Sequence, residues 1–493
     1  MSVLAKRSVL LSGLILFGVL VLFTPAPKVA GQEPGDMEWV RQFGTKSEDV
    51  AVGIAVDSTG MYVIQNSAGL PFILKFDADG KRLWKHVLGV LSFPKMRGIS
   101  AHSTGVYVVG TSFGTTNAFV IKYDADGNRV WPSLRRFRTA ARLPLNISVT
   151  ASGIYVAGNT EVSSSDQGKT IFIQEPFIRK YNLKGTELWI REFETDFSDV
   201  INGISGVASG VYVVGRTHGA LPGQESAGGT DAFIRKYDPD GIELWTRQYG
   251  TPGSDFASGV AAHPSGVYVV GWTLKGRDDD AFVYKYDTEG NQLWARQFST
   301  MTLNPSDLAI CADLSGVYVA GWTEESFPGL SSAGGDDAFV RMWDNHGVEL
   351  WTSQFGTQFS DRALAVAADS SGLYLAGQTE GAFPRRAGGG GISDAFVAKF
   401  VSTSSADLFV TQTISTVSPL VRREAGDIVA VVAPTEPPIS PALQPEAAST
   451  PTPAGQGGCT APAAGVKSVD VSWLLLGLLW SGLVSARRKR WIT

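Results

Sequence analysis

The chain has 493 residues, with 42 basic against 47 acidic side chains, and the resulting net charge of -5 gives no reason to expect a nucleic-acid partner. Its 56 glycines fit a turn-rich domain, and the length accommodates one large domain with appendages. Two cysteines exclude a disulfide framework, so stability must come from packing.

Lys6 and Arg7 precede an apolar run from Val9 to Phe23, then proline and small residues up to Ala30. This is the plan of an export signal, and residues 1–31 are assigned to one, although Lys28 is untypical so near the cut. The alternative, an uncleaved anchor, must work with a run short of the roughly 20 residues that a bilayer span needs.

From there a tryptophan recurs in the same phrase, as Trp39, Trp84, Trp131, Trp189, Trp245, Trp294 and Trp351. A period of about 45 to 58 residues signals a propeller or solenoid. Each unit has four short apolar segments, as in SGVAAH (258–263), SGVYVVGWT from Ser265, DAFVYKYD from Asp280 and QLWARQF from Gln292. Four strands per unit make one propeller blade.

The second strand repeats its tyrosine at Tyr62, Tyr107, Tyr155, Tyr212, Tyr268, Tyr318 and Tyr374, inside an alternating β-branched run that reads as strand. The third repeats Phe72, Phe119, Phe177, Phe233, Phe282, Phe339 and Phe396. Turns such as DADG (77–80 and 124–127), DPDG (238–241) and DTEG (287–290) then lead to the tryptophan strand, with Asp suiting turn geometry and Gly supplying positive φ.

After Phe396 the pattern stops at Phe400 without a turn or a tryptophan strand, while EWVRQFGT (38–45) stands unpaired before the first unit. The reading is therefore all-β: a seven-bladed β-propeller over 32–400, closed by the N-terminal strand completing the last blade. Gly53, Gly98, Gly203, Gly259, Ala309 and Ala365 occupy equivalent first-strand places, as expected where blades converge on a narrow axis.

Residues 401–458 are rich in Pro, Ser, Thr and Ala and read as a disordered stalk. VRREAGDIVAVV, from Val421, is a stray strand or a partner site within it. Residues 459–493 carry an apolar stretch from Val471 to Ala486, read as a hydrophobic tail helix, then Arg487, Arg488, Lys489 and Arg490. That order places the extreme C-terminus in the cytoplasm and the ring outside. The tail resembles C-terminal sorting segments of exported bacterial proteins, most nearly the myxobacterial type. That resemblance implies a sorting protease and makes Gly458 and Cys459 the processing or attachment site; the alternative is a plain membrane anchor with an incidental cysteine.

Cys311 fills a slot that other blades give to Ala55, Ser100, Ser148, Ser205, Ala261 and Ala367, which marks a small packing residue. The histidines are scattered; His102 and His263 stand where other blades have Asp57, Asp313 and Asp369. No GxSxG, P-loop or HExxH motif occurs, so no catalytic residues are assigned.

Asp49, Asp199, Asp255 and Asp361 precede the first strand, with Asp307 close to that place in a shortened copy; Asp231, Asp280, Asp337 and Asp394 precede the third. Propeller topology puts both connections on one face. These acids are either a site for a cation or cationic ligand, or ties for backbone N–H groups at loop ends. Calcium is a candidate cofactor, although the DxDG turns lack the other ligands of a twelve-residue loop. Long connections on that face, from Leu221, Phe327, Phe383 and Glu161, are binding loops or length drift.

As a whole the unit, with SDxAxGIAVD, SGVYVVGxT, LPGxxxAGGxDAFVxKYD and GxxLWTRQFGT, resembles the bacterial seven-bladed β-propeller repeats called SBBP repeats, from Glu38 to Phe400. Blades two and three depart most. The resemblance implies an exported or surface protein and offers no catalytic residues. The leading expectation is a surface-anchored, non-catalytic scaffold for a protein or glycan ligand. The alternatives are a quinoprotein-like oxidoreductase, because DADGKRLW also resembles repeats of that group, and an envelope assembly factor.

Overall fold

The computed structural model describes residues 33–402, apart from 69, 89–93, 113–116, 132–134, 139–144, 167–168, 194–197, 275–279, 300–307 and 385–390. The expected export segment, the expected stalk and tail beyond 402, Gly458, Cys459 and Asp307 lie outside the described residues. Among those residues no helix is long and apolar enough to cross a membrane.

The strands form seven four-stranded antiparallel sheets, the blades of a β-propeller. Blade four is typical: Asp199–Val207, Gly210–Thr217, Asp231–Tyr237 and Glu243–Tyr249 pair in chain order from the axis outward. Its second and third strands are buried almost throughout, because neighbouring blades cover both sheet faces. The run Val211 to Val214 therefore reads as a continuous apolar core strand rather than the alternation expected for a half-solvated one.

Each hydrophobic cluster belongs to two adjacent blades. Tyr212, Val214 and Ile234 of blade four pack with Val260, Val267 and Phe282 of blade five. Each such buried aromatic contributes about 1.5 to 3 kcal/mol by area. A blade alone would expose both faces, so the ring is stable only as a ring.

Closure follows the expected plan. Met37–Phe43 pairs with Asp394–Phe400 and completes blade seven, with Trp39 opposite Lys399 and Phe43 opposite Ala395. Val63 and Leu74 of blade one then pack with Tyr374 and Val397 of blade seven. Where the other blades have a hairpin turn, the segments entering and leaving the ring meet: Gly35 N–H donates to Val401 O and Val401 N–H to Asp36 O, both at 2.9 Å. Gly35, at φ +92°, lies so close to the Trp351 ring that a Cβ would come within 2.8 Å of it. The turn glycines Gly241 and Gly290 press on Trp189 and Trp245 in the same way. The two ends of the ring thus take the place of a turn.

At the axis, a Cβ on Gly203 would lie 3.2 Å from the Gly259 Cα, so small residues are a steric requirement there. In blades one, two, four, five and seven a register shift falls just before the small residue, at Ala51/Gly53, Met96/Gly98, Ile201/Gly203, Ala257/Gly259 and Ala363/Ala365. Cys311 pairs opposite Tyr318 as Ala261 does opposite Tyr268, and its thiol is free.

Two expectations need correction. In blade two the outer strand is Arg135–Arg138, so Trp131 precedes it rather than lying within it, though Trp131 is still buried against Tyr107. In blade three the connection from Glu161 is no loop. Gly153–Asp166 and Lys169–Tyr181 stay paired out to Asp166 opposite Lys169, making one long hairpin.

The face bearing the hairpin turns is bolted blade to blade. Lys236 Nζ and Trp245 Nε1 of blade four both donate to Thr288 O of blade five's turn, at 2.8 and 3.0 Å. Lys180 and Trp189 converge likewise on Pro239 O, and Lys285 and Trp294 on Asn345 O. Each of these lysines also sits about 5 Å from its blade's tyrosine ring, for example Lys236 at 5.2 Å from Tyr212. In blade six the lysine is replaced by Met342, fully buried in a cluster that includes Met37 of the closing strand. His102 and His263 do the work of the aspartates they replace: Nδ1 meets the Thr104 and Ser265 hydroxyls at 3.1 and 3.0 Å, as Asp57 meets Thr59.

Candidate functional site

The opposite face carries the long connections, and its aspartates are buried beneath them. Asp49, Asp255 and Asp361 each accept the backbone N–H and hydroxyl of the threonine four residues upstream: Thr45 at 2.5 and 2.8 Å, Thr251 at 2.6 and 3.0 Å, Thr357 at 2.5 and 2.8 Å. The second oxygen of Asp49 takes Gln65 Nε2 at 2.5 Å and that of Asp255 takes Thr273 Oγ1 at 2.7 Å. Asp199 is fully buried at the same register position, and Asp280 is half-buried at the head of its third strand.

The third-strand acids work through a glutamine at the end of the tryptophan strand. Gln248 Nε2 donates to Asp231 at 2.7 Å and to Gly219 O at 3.1 Å, while its Oε1 accepts Leu221 N–H at 2.8 Å. Asp231 also accepts Ala227 N–H at 2.9 Å. Gln354 repeats this with Asp337, Glu325 O and Phe327 N–H, and Gln42 with Asp394, Gly381 O and Phe383 N–H. A Gln–Asp pair thus fixes the entry of the 221–231 and 327–337 loops and of the connection from Phe383. The spacing of the glutamine in LWTRQYGT and EWVRQFGT is the sequence signal for this, but only the fold brings it to the loop.

Six of the eight acids are brought together as three pairs. Asp231 and Asp255 flank Gly250, Asp394 and Asp49 flank Gly44, and Asp337 and Asp361 flank Gly356; the second carboxylate of each pair would lie 3.1, 3.1 and 3.0 Å from a Cβ there. Burial, with the nearby Asp337 carboxylate adding to it, pushes the Asp361 carboxyl above its ordinary value, against the hydrogen bonds from Thr379 and Thr357. Among the described residues no three His, Cys, Asp or Glu side chains converge as a metal site.

A second set of loop-face residues is not among those singled out from the sequence. The residue before the threonine or serine that ends the core run of the second strand changes from blade to blade: Asn66, Thr111, Asn159, Arg216, Trp272, Trp322 and Gln378. Between blades four and five the Arg216 guanidinium lies 5.4 Å from the Phe256 ring, and Phe256 stacks on Trp272 at 4.1 Å and 19°. Between blades six and seven Arg362 lies 4.3 Å from the Trp322 ring. Burial lowers the pKa of Arg216. The variable x of the GxT phrase is the signal that could have found these positions.

No protein-family profile matches the chain, and no curated protein sequence matches it. Solved structures similar in fold include the phage phi92 endosialidase (9% identity, TM-score 0.43, covering 81% of this chain and 74% of that one). Kuenenia stuttgartiensis hydrazine synthase follows at 11% identity and TM-score 0.42, covering 66% of this chain and 92% of that one. The extracellular domains 1–2 of Drosophila Semaphorin 1b give 9% identity and TM-score 0.40, covering 75% and 88%. At identities this low, nothing about ligand or reaction passes from these proteins to this chain.

Proposed function

We propose that this chain is an exported, surface-anchored, non-catalytic β-propeller scaffold that binds an extracellular protein or glycan on its loop face. The observation that carries this reading is the Gln–Asp support beneath that face. Gln248 and Gln354 each tie a glycine-rich connection to a buried carboxylate, so these loops are held segments of a rigid ring, where binding surfaces are built. The basic, apolar N-terminus, the apolar and arginine-rich tail and the likeness to SBBP repeats support the export and anchoring. On this reading a sorting protease acts at Gly458 and Cys459.

The test is a glycan and protein array probed with the full chain, with and without calcium. Retention of a ligand that Gln248→Ala weakens supports the reading. Dye-linked oxidation of alcohols or sugars on adding a quinone would replace it with the enzyme reading. Stable co-purification with an envelope complex would replace it with the assembly reading.

A further inference from the structure

Among the described residues, Arg216 is a loop-face cation with no acidic partner. Arg362 and Arg216 occupy matching seams, each guanidinium lying over an aromatic ring of the adjacent blade. Arg362 is neutralised: Nε donates to Asp336 Oδ2 at 2.7 Å and a terminal nitrogen pairs with the same oxygen at 2.5 Å. Arg216 is half-buried, and among the described residues it pairs with no carboxylate and donates to no acceptor; its contact is the Phe256 ring at 5.4 Å. The residue opposite it on the inner strand is Val200, whose side chain carries no acceptor.

A guanidinium stripped of part of its water and given no counter-charge costs folding free energy. Such a residue is tolerated where an anion completes it. Beside it stands a flat apolar stack, Phe256 on Trp272, with Trp322 at the same register position of the next blade. Aromatic faces of this kind complement the C–H faces of a ring ligand, and a held guanidinium complements a carboxylate or sulfate in two-point geometry.

We propose that the seam between blades four and five is a subsite for an anionic saccharide, with Arg216 taking the acidic group and the Phe256–Trp272 stack the sugar ring beside it. This rests on the binding reading above and names its ligand class. The interblade latches of the opposite face have no such group: their lysines are satisfied by turn carbonyls.

The full chain is titrated against uronate, sialylated and sulfated oligosaccharides, their methyl-esterified or desulfated counterparts, neutral glycans, and sodium sulfate alone. At least one anionic oligosaccharide should bind, with its neutralised counterpart roughly ten- to hundredfold weaker. Arg216→Gln should weaken binding by a similar factor, Arg216→Lys by less, and Trp272→Ala by about tenfold. The melting temperature of Arg216→Gln should equal or exceed that of the parent, because the variant removes a half-buried charge that has no acidic partner among the described residues; a purely structural role would lower it. Affinity unchanged in Arg216→Gln overturns the proposal, as does equal binding of the neutral counterparts or displacement by sulfate alone at matched concentration. Retention of only a neutral glycan or a protein leaves the binding reading standing and overturns this inference. Retention of nothing overturns both.

Discussion

The two faces of the ring end the same seven repeats differently. On the turn face, Lys180 with Trp189, Lys236 with Trp245 and Lys285 with Trp294 each meet one backbone carbonyl of the next blade. In blades one, three, four and five the partner is a backbone carbonyl, so the same pair of side chains serves in each, whereas blade six has Met342 and Lys399 of blade seven pairs with Glu38. On the loop face the corresponding strand ends carry Arg216, Trp272, Trp322 and Gln378. Their partners differ from seam to seam: Arg216 lies against Phe256 and Trp322 against Arg362 of the next blade, Trp272 stacks on Phe256 of its own blade, and at the same position Asn66 and Asn159 bond the next blade's backbone at Met96 and Ile201. The repeat keeps one kind of latch where a lysine and a tryptophan share a turn carbonyl, and varies at the loop-face strand ends, where each seam offers a different partner.

The comparison breaks first at the closure. Deleting residues 33–43 removes the outer strand of blade seven and the ring-end pairing at Val401. The melting temperature should fall by about 10 °C or more; an unchanged melt would show that the ring does not depend on this strand. Next, Trp245→Ala removes the Thr288 bond and the contact with Tyr212, and should cost about 3 kcal/mol in denaturant melts without altering loop-face binding. Gln248→Ala should cost about 1 to 3 kcal/mol. Its distinguishing sign is local: hydrogen exchange should speed up across residues 219–231 and not in the turn at 238–241. Equal acceleration at both places would mean that the loop is not held by the Gln–Asp pair. Gly35→Ala should destabilise more than Gly223→Ala. Both have positive φ, +92° and +73°, but only Gly35 has the Trp351 ring in the way.

The sequence made the ring legible because closure is a matter of counting: a tryptophan strand missing after Phe400 and an orphan one at Glu38 to Phe43 can only complete each other. It also showed which acids gather on one face, since strand direction alternates. It did not show which oxygen faces which donor. Asp231 and Asp255 come from consecutive units, and only the packing of blade on blade brings both to Gly250. Arg216 was harder still, because it differs from its counterparts in the other blades, and comparison of repeats draws the eye to what recurs. The hairpin from Glu161 was hidden for another reason: polar serines and a glycine between two strands read as a loop, and pairing out to Asp166 and Lys169 extends the sheet past the apolar pattern.

The smallest effect concerns the pair at Gly356, where the loop-face acids differ from the satisfied lysines of the turn face. Burial and the neighbouring Asp337 favour the protonated form of Asp361 in the folded ring. A carboxyl whose folded pKa lies above its unfolded value, about 3.9, adds stability that is complete below that value and lost as pH rises through the folded one. Acidification from pH 7 towards 4 should therefore favour the parent over Asp361→Asn. The amide keeps an oxygen for Thr357 but does not titrate, so the difference in melting temperature should shift with pH in the parent's favour, by about 1 kcal/mol or less. Melts of both proteins at pH 7, 6, 5 and 4 would decide it. A difference constant across that range would mean that the charge on Asp361 is fully solvated by Thr357 and Thr379, leaving the acid pair with no cost for a proton to relieve.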